Sequence, residues 1–221
     1  MTLYIDTICK AASVLVSIAC YPKLRHTRYR SFACFLPVIA IAEMLTAHTR
    51  FLVFHGTYMS AISSTLFYSL FFHSLYTDAI IRKTILVVCL VLTAVFIAGY
   101  AFAGSMQTGM HFYTLVFTVT GMFFTVAGLG YLYSRITDPA CMRLTAEADF
   151  WIVAGIVLFY SGISVVFSFY SYIVENNLLW LDERLYKTIP KLLSILLYSG
   201  ISAGILVATR EKPLTVSRES A

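Results

Sequence analysis

The sequence predicts an all-α fold: a polytopic membrane protein built as a seven-transmembrane-helix bundle, N-terminus outside and C-terminus cytoplasmic. The chain of 221 residues is 59% hydrophobic and only 12% charged, about half the charge fraction of an ordinary soluble domain. Apolar stretches of about twenty residues, the length that crosses a bilayer core, take up most of it. Lys and Arg concentrate in alternate connections between those stretches, the asymmetry that holds loops on the cytoplasmic side.

The first span covers about residues 3–21, and Pro22 is expected to stop it. It has no positive segment ahead of its apolar run, and basic residues follow it, so it reads as a permanent helix rather than a cleaved signal. A basic loop with Lys23, Arg25, Arg28 and Arg30 leads to the second span, residues 32–54. His55-Gly56-Thr57 reads as a tight turn before the third span, residues 58–81, and Arg82-Lys83 marks the next boundary. The fourth span, 84–103, carries only Thr93 at its middle and is expected at the periphery, against lipid. The fifth covers 110–133, the sixth 149–173 and the seventh 185–209, followed by a short polar tail, 210–221. The single membrane domain, residues 1–209, leaves no room for a soluble catalytic domain.

The first, third and fifth loops and the tail carry Lys23, Arg25, Arg28, Arg30, Arg82, Lys83, Arg135, Arg143, Arg210, Lys212 and Arg218; the other side carries Arg50, Arg184 and Lys187. The first set therefore faces the cytoplasm of a multi-pass cell-membrane protein. The net charge of +5 is explained by this topology and by attraction to anionic headgroups, so membrane lipids are the expected partners and nucleic acid is not. The five cysteines are odd in number and include no CxxC pair, and most lie inside apolar segments, where Cys behaves as a small hydrophobe. No metal and no cofactor is expected.

Ionisable side chains inside a bilayer are costly and turn away from lipid. Glu43 lies near the middle of the second span, with Arg50 seven residues on and His48 between them. Asp6, Lys10, Ser13 and Ser17 share a face of the first span. Ser60, Ser64 and Tyr68 align on the third, Thr114, Thr118, Gly121, Thr125 and Gly128 on the fifth, Ser161, Ser164 and Ser168 on the sixth, and Lys187, Lys191, Ser194, Tyr198 and Ser202 on the seventh. Such stripes are expected to face inward, since lipid satisfies none of them, and small hydroxyl residues also serve helix packing directly. By depth, Asp6, Lys10, Glu43, His48, Arg50 and Lys191 fall in the outer half, which predicts a polar pocket or core open to the outside. Tyr68, Tyr160 and Tyr198 are mid-segment phenols that need partners and are candidate pocket linings. The inner half is expected to be drier apart from His73 and Asp78, with Asp78 paired to Arg82 four residues on.

Other chemistries fit poorly. Lys191 is too shallow for a retinal Schiff base, and the third span has no acid before Asp78. Of His26, His48, His55, His73 and His111, only His48 and His73 fall inside spans away from their ends, too few for a membrane zinc hydrolase. No nucleophile motif is present, so an enzyme is the less favoured reading.

The entry Asp149-Phe150-Trp151-Ile152 and its continuation Leu158-Phe159-Tyr160-Ser161-Gly162 resemble a bacterial family of small seven-helix membrane proteins of unknown function. The aromatic third span with its basic pair and the striped seventh span are similar too. That family is similar to the seven-helix N-terminal region of some sensor histidine kinases. The resemblance implies a sensory or receptor-like module. About a dozen residues follow the last span, so its signal would pass to a cytoplasmic partner docked on the basic loops. The competing expectation is a small-molecule or proton-coupled transporter with Glu43 as the titrating group. The internal repeat and Pro-Gln pair of small sugar transporters are not found.

Overall fold

The computed structural model describes residues 2–24, 27, 29–46, 50–102, 106–138, 144–176, 179–180 and 183–210, of which 2–6, 40–46, 50–54, 106–111, 171, 179–180, 183–184 and 187 are described by their backbone alone. Among the described residues the helices are α1 (Thr2–Leu24), α2 (Arg30–Thr46), α3 (Arg50–Leu75), α4 (Ala79–Phe102), α5 (Met106–Ile136), α6 (Ala148–Ser168), α7 (Tyr170–Glu175) and α8 (Leu185–Ala208). A single 3-10 turn, Leu144–Ala146, precedes α6, and Leu179–Trp180 pairs antiparallel with Glu183–Arg184 ahead of α8. Apart from short turns, the described residues are otherwise helical.

Among the described residues, five helices are long and apolar enough to cross a membrane, over Thr7–Leu24, Ala79–Phe102, Phe112–Ile136, Ala148–Ser168 and Thr188–Ala208. The shortest of these, at 18 residues, is about 27 Å long, close to the hydrocarbon thickness. A multi-pass membrane protein is the architecture this composition supports, and the exposed side chains agree. Leu15, Leu90, Leu115, Val126 and Val165 are all more than half exposed on helix surfaces, where water would penalise them and lipid does not.

The helices close into a ring. α1 packs on α2, α2 on α3, α3 on α4, α4 on α5, α5 on α6, α6 on α8, and α8 returns to α1, while α3 also reaches α5 across the interior. α1, α3, α5 and α8 begin at one end, the upper end, and α2, α4 and α6 finish there. α4 buries only Ile85, Cys89, Leu92 and Phe96 and stands at the edge of the bundle.

The closest packing joins α6 to α8, and glycine is the reason. A Cβ on Gly200 would lie 2.8 Å from the Trp151 carbonyl oxygen and 3.0 Å from the Gly155 Cα; one on Gly204 would lie 2.8 Å from the Ala148 carbonyl oxygen. Gly200 and Gly204 form a G-x-x-x-G pair, which lets two backbones approach where lipid supplies no hydrophobic drive. α5 meets α6 in the same way. Gly121 faces the Ser164 hydroxyl and the Tyr160 carbonyl, and Gly128 faces Val157.

Several element boundaries differ from the sequence expectation. Pro22 lies inside α1, which continues to Leu24; so near the helix end its ring disturbs only the last turn. His55-Gly56-Thr57 is helical, within α3. The His55 ring nitrogen Nδ1 is 2.7 Å from the Tyr100 hydroxyl, so the polar residues that suggested a turn bind a neighbouring helix instead. α3 ends at Leu75 and α4 starts at Ala79, which puts Arg82-Lys83 in the first turns of α4. Asp78 supplies the stop: its Oδ1 accepts from the Ile80 amide at 2.7 Å and the Ile81 amide at 3.4 Å, as an N-cap does. The sixth predicted span is broken at Phe169 into α6 and α7.

Candidate functional site

The described residues line a cavity toward each end of the bundle. The upper one, about 260 Å3, is walled by α2, α3, α5, α6 and α8. α3 contributes Gly56, Thr57, Ser60, Ala61, Ser64 and Tyr68, successive positions along one face of the helix. α5 adds Tyr113 and Phe117, α6 adds Phe159, Tyr160, Ile163 and Phe167, and α8 adds Pro190, Ser194, Leu197 and Tyr198. The three phenols expected to line a pocket, Tyr68, Tyr160 and Tyr198, stand around this space. The Tyr68 and Tyr160 rings meet at 5.9 Å and 84°, and Phe117 lies 5.8 Å from Tyr160. Ser60 and Ser64 make no hydrogen bond to the described residues, whereas Ser194 donates to the Pro190 carbonyl at 2.8 Å.

The expected charged residues divide. Lys10 on α1 holds its Nζ 5.8 Å from the centre of the Tyr198 ring, a cation–π distance, on a phenol that lines the cavity. Lys191 is half-buried on α8 beside Pro190. The side chains of Asp6, Glu43 and Arg50, and residue His48 altogether, lie outside the described residues. The backbone puts Glu43 on α2 one turn beyond Ile39, which lines the cavity.

Not every polar stripe turns to the middle. The stripes of α5 and α6 face each other. Ser164 donates to the Tyr160 carbonyl at 2.7 Å and to the Thr118 carbonyl at 3.3 Å, and Thr118 and Thr125 donate within α5 to the carbonyls four residues back. On the far side of the bundle the stripes of α1 and α8 join. Ser202 donates to Ser13 at 2.9 Å, Ser13 reaches the Tyr198 carbonyl at 3.2 Å, and Ser17 donates to the Ala33 carbonyl at 2.7 Å. These hydroxyls hold helices together.

The lower half contradicts the expectation of dryness. A cavity of about 660 Å3 opens between the ends of α3 and α5 and the starts of α4 and α6. Its wall includes Tyr76, Asp78, Tyr131, Arg135, Asp138 and Asp149. Asp149 is 3% exposed. Tyr29 donates to its Oδ1 at 2.9 Å and Tyr131 to its Oδ2 at 3.3 Å, so one carboxylate joins the entry to α2, the end of α5 and the start of α6. Nearby, Arg135 binds Glu147 through two nitrogens and Asp138 at 3.2 Å, pinning the connection between α5 and α6. Asp78 caps α4 rather than pairing with Arg82, whose Nε lies 3.4 Å from His73 Nε2.

Asp149 is the residue that sequence reasoning missed. At the mouth of a span it reads as an ordinary interfacial charge. The available signal was the presence of Tyr29 and Tyr131 at the same level in neighbouring elements, phenols that require partners when buried. Among the described residues no three His, Cys, Asp or Glu side chains converge as a metal site would require. The chain matches no protein family, no characterised protein and no solved structure.

Proposed function

We propose that this protein is a seven-span, receptor-like sensory module of the cell membrane that binds a small molecule in the upper cavity, with the upper end outside. In this reading α2 and α3 complete the set of spans, since they fill the arc of the ring between α1 and α4. The Lys and Arg excess of the lower loops and tail supports the orientation, and those loops are where a cytoplasmic signalling partner would dock. The observation that carries the reading is the upper cavity itself: five helices contribute aromatic rings and hydroxyls to one space, the composition of a small-molecule site.

Native mass spectrometry of the protein extracted in mild detergent tests it. We expect a small bound mass that disappears in Ser64→Phe, which fills the cavity. A wild-type protein that carries no such mass, or one that Ser64→Phe leaves in place, counts against the site. In a cysteine-free background, an impermeant maleimide on intact cells should label Asn176→Cys and spare Thr137→Cys; the reverse pattern overturns the orientation.

One observation favours transport as a second reading. Cavities lie at both ends, and between them the Phe124 ring packs within 6.0 Å of the Tyr68, Phe72 and Tyr160 rings, with Tyr68 5.9 Å from Tyr160. From Tyr68 in the upper wall to Leu75 in the lower one is only about 11 Å along α3. An aromatic septum this thin is what a carrier would open. Solute flux into proteoliposomes that vanishes in Glu43→Gln would establish transport and displace the sensor reading.

A further inference from the structure

The walls of the upper cavity specify its guest more narrowly than size does. We infer that it takes a small, uncharged, planar aromatic molecule with one hydrogen-bonding group, the inference resting on the ligand site proposed above. Rings dominate the wall, and they present both faces and edges. Tyr68 stands at 84° to Tyr160, and Phe117 at 65° to Phe167. A flat guest can therefore lay its face on one ring and its edge against another, the two arrangements that aromatic pairs prefer. A saturated guest of the same outline has no quadrupole to match.

Charge and hydrogen bonding complete the description. Among the described lining residues none is ionisable except the tyrosines, and the nearby Lys10 ammonium faces the Tyr198 ring, so an ionised guest would exchange its hydration mainly for phenols and hydroxyls. The Ser60 and Ser64 hydroxyls stand one turn apart on the α3 wall, half-buried and without a hydrogen bond to any described residue. Each can donate or accept. One polar group on the guest would satisfy one or both of them. The volume, about 260 Å3, lies just under the usual range for drug-sized ligands and suits one or two fused rings.

The test compares three probes on the full chain in nanodiscs by ligand-detected magnetic resonance: 2-naphthol, its saturated counterpart decahydro-2-naphthol, and ionised 2-naphthoate. All three carry the same pair of fused six-membered carbon rings; the second removes planarity, and the third exchanges the hydroxyl for a charged carboxylate. We expect 2-naphthol to bind about ten-fold more tightly than either of the others, the factor that one or two aromatic contacts supply. Its binding should be lost in Ser64→Phe and in Ser194→Phe, two fillings from opposite walls; whichever variant keeps the wild-type melting temperature decides. Equal affinity for the saturated probe, abolished by the fillings, would overturn the aromatic class and leave the site intact. Tighter binding of 2-naphthoate would overturn the uncharged class. Binding of every probe that ignores both fillings would overturn the inference outright, while a co-purified mass still displaced by Ser64→Phe would preserve the receptor reading.

Discussion

The two ends of the bundle solve the same problem in opposite ways. Both enclose a cavity between helices, and both must keep polar atoms from lipid. At the upper end the wall is rings and small hydroxyls, and two of those hydroxyls, Ser60 and Ser64, are bonded to none of the described residues. At the lower end the polar groups are bound to one another: two phenols to Asp149, and Arg135 to Glu147 and Asp138. An interior with satisfied partners is rigid, because breaking any one contact strands another. An interior with spare hydrogen-bonding capacity can receive something. The contrast places adaptability at the upper end and mechanical constraint at the lower.

Substitutions can break this contrast or sharpen it, and the largest effect should come from the element both halves lean on. Gly200→Leu drives a side chain into the Trp151 carbonyl and the Gly155 backbone, neither of which can yield. We expect a loss of at least about 3 kcal/mol, measured by reversible unfolding in detergent; a loss under about 1 kcal/mol would mean that α6 and α8 are not a fixed pair. Asp149→Ala comes next, about 2–3 kcal/mol, since it leaves two buried phenols without their acceptor. Tyr131→Phe should cost about 1 kcal/mol in the wild type and markedly less once Asp149 is alanine, a coupling that a double-mutant cycle reads directly. Additive costs would show that the lower network is no network. Ser202→Ala, which removes one bond between α8 and α1, should cost roughly 0.6 kcal/mol. Ser64→Ala in the upper wall should fall within about 0.5 kcal/mol of wild type; a large loss there would erase the distinction between the ends.

Five apolar helices of membrane-crossing length were legible because a bilayer demands long apolar runs whatever the tertiary packing. Their ends were less so, since turn-like composition is ambiguous in lipid. His55, Gly56 and Thr57 look like a turn in isolation, yet inside α3 His55 meets Tyr100 and Gly56 and Thr57 line a cavity. Tyr68, Tyr160 and Tyr198 could be singled out by depth and chemistry alone, and the fold brings them around one space. The direction of the α5 and α6 stripes was not readable, because serine and threonine serve helix contact and solvated lining equally well. Asp149 escaped notice for a related reason: a carboxylate at a span entrance is unremarkable until a fold shuts it away from water. The Gly200-Gly204 pair was within reach of motif reading and explains the tightest contact in the molecule.

Pro190 has a consequence for how the upper cavity could register occupancy. It sits in the second turn of α8 and forms part of the cavity wall. Having no amide hydrogen, it cannot donate to the carbonyl of Tyr186, four residues earlier. The hydrogen-bond ladder of α8 thereby lacks one rung between its opening turn and the rod below it, which Gly200 and Gly204 clamp to α6. A guest pressing on that loosened turn would tilt it about a fulcrum already cut into the backbone, and the clamped lower segment would feel the torque as a lever does.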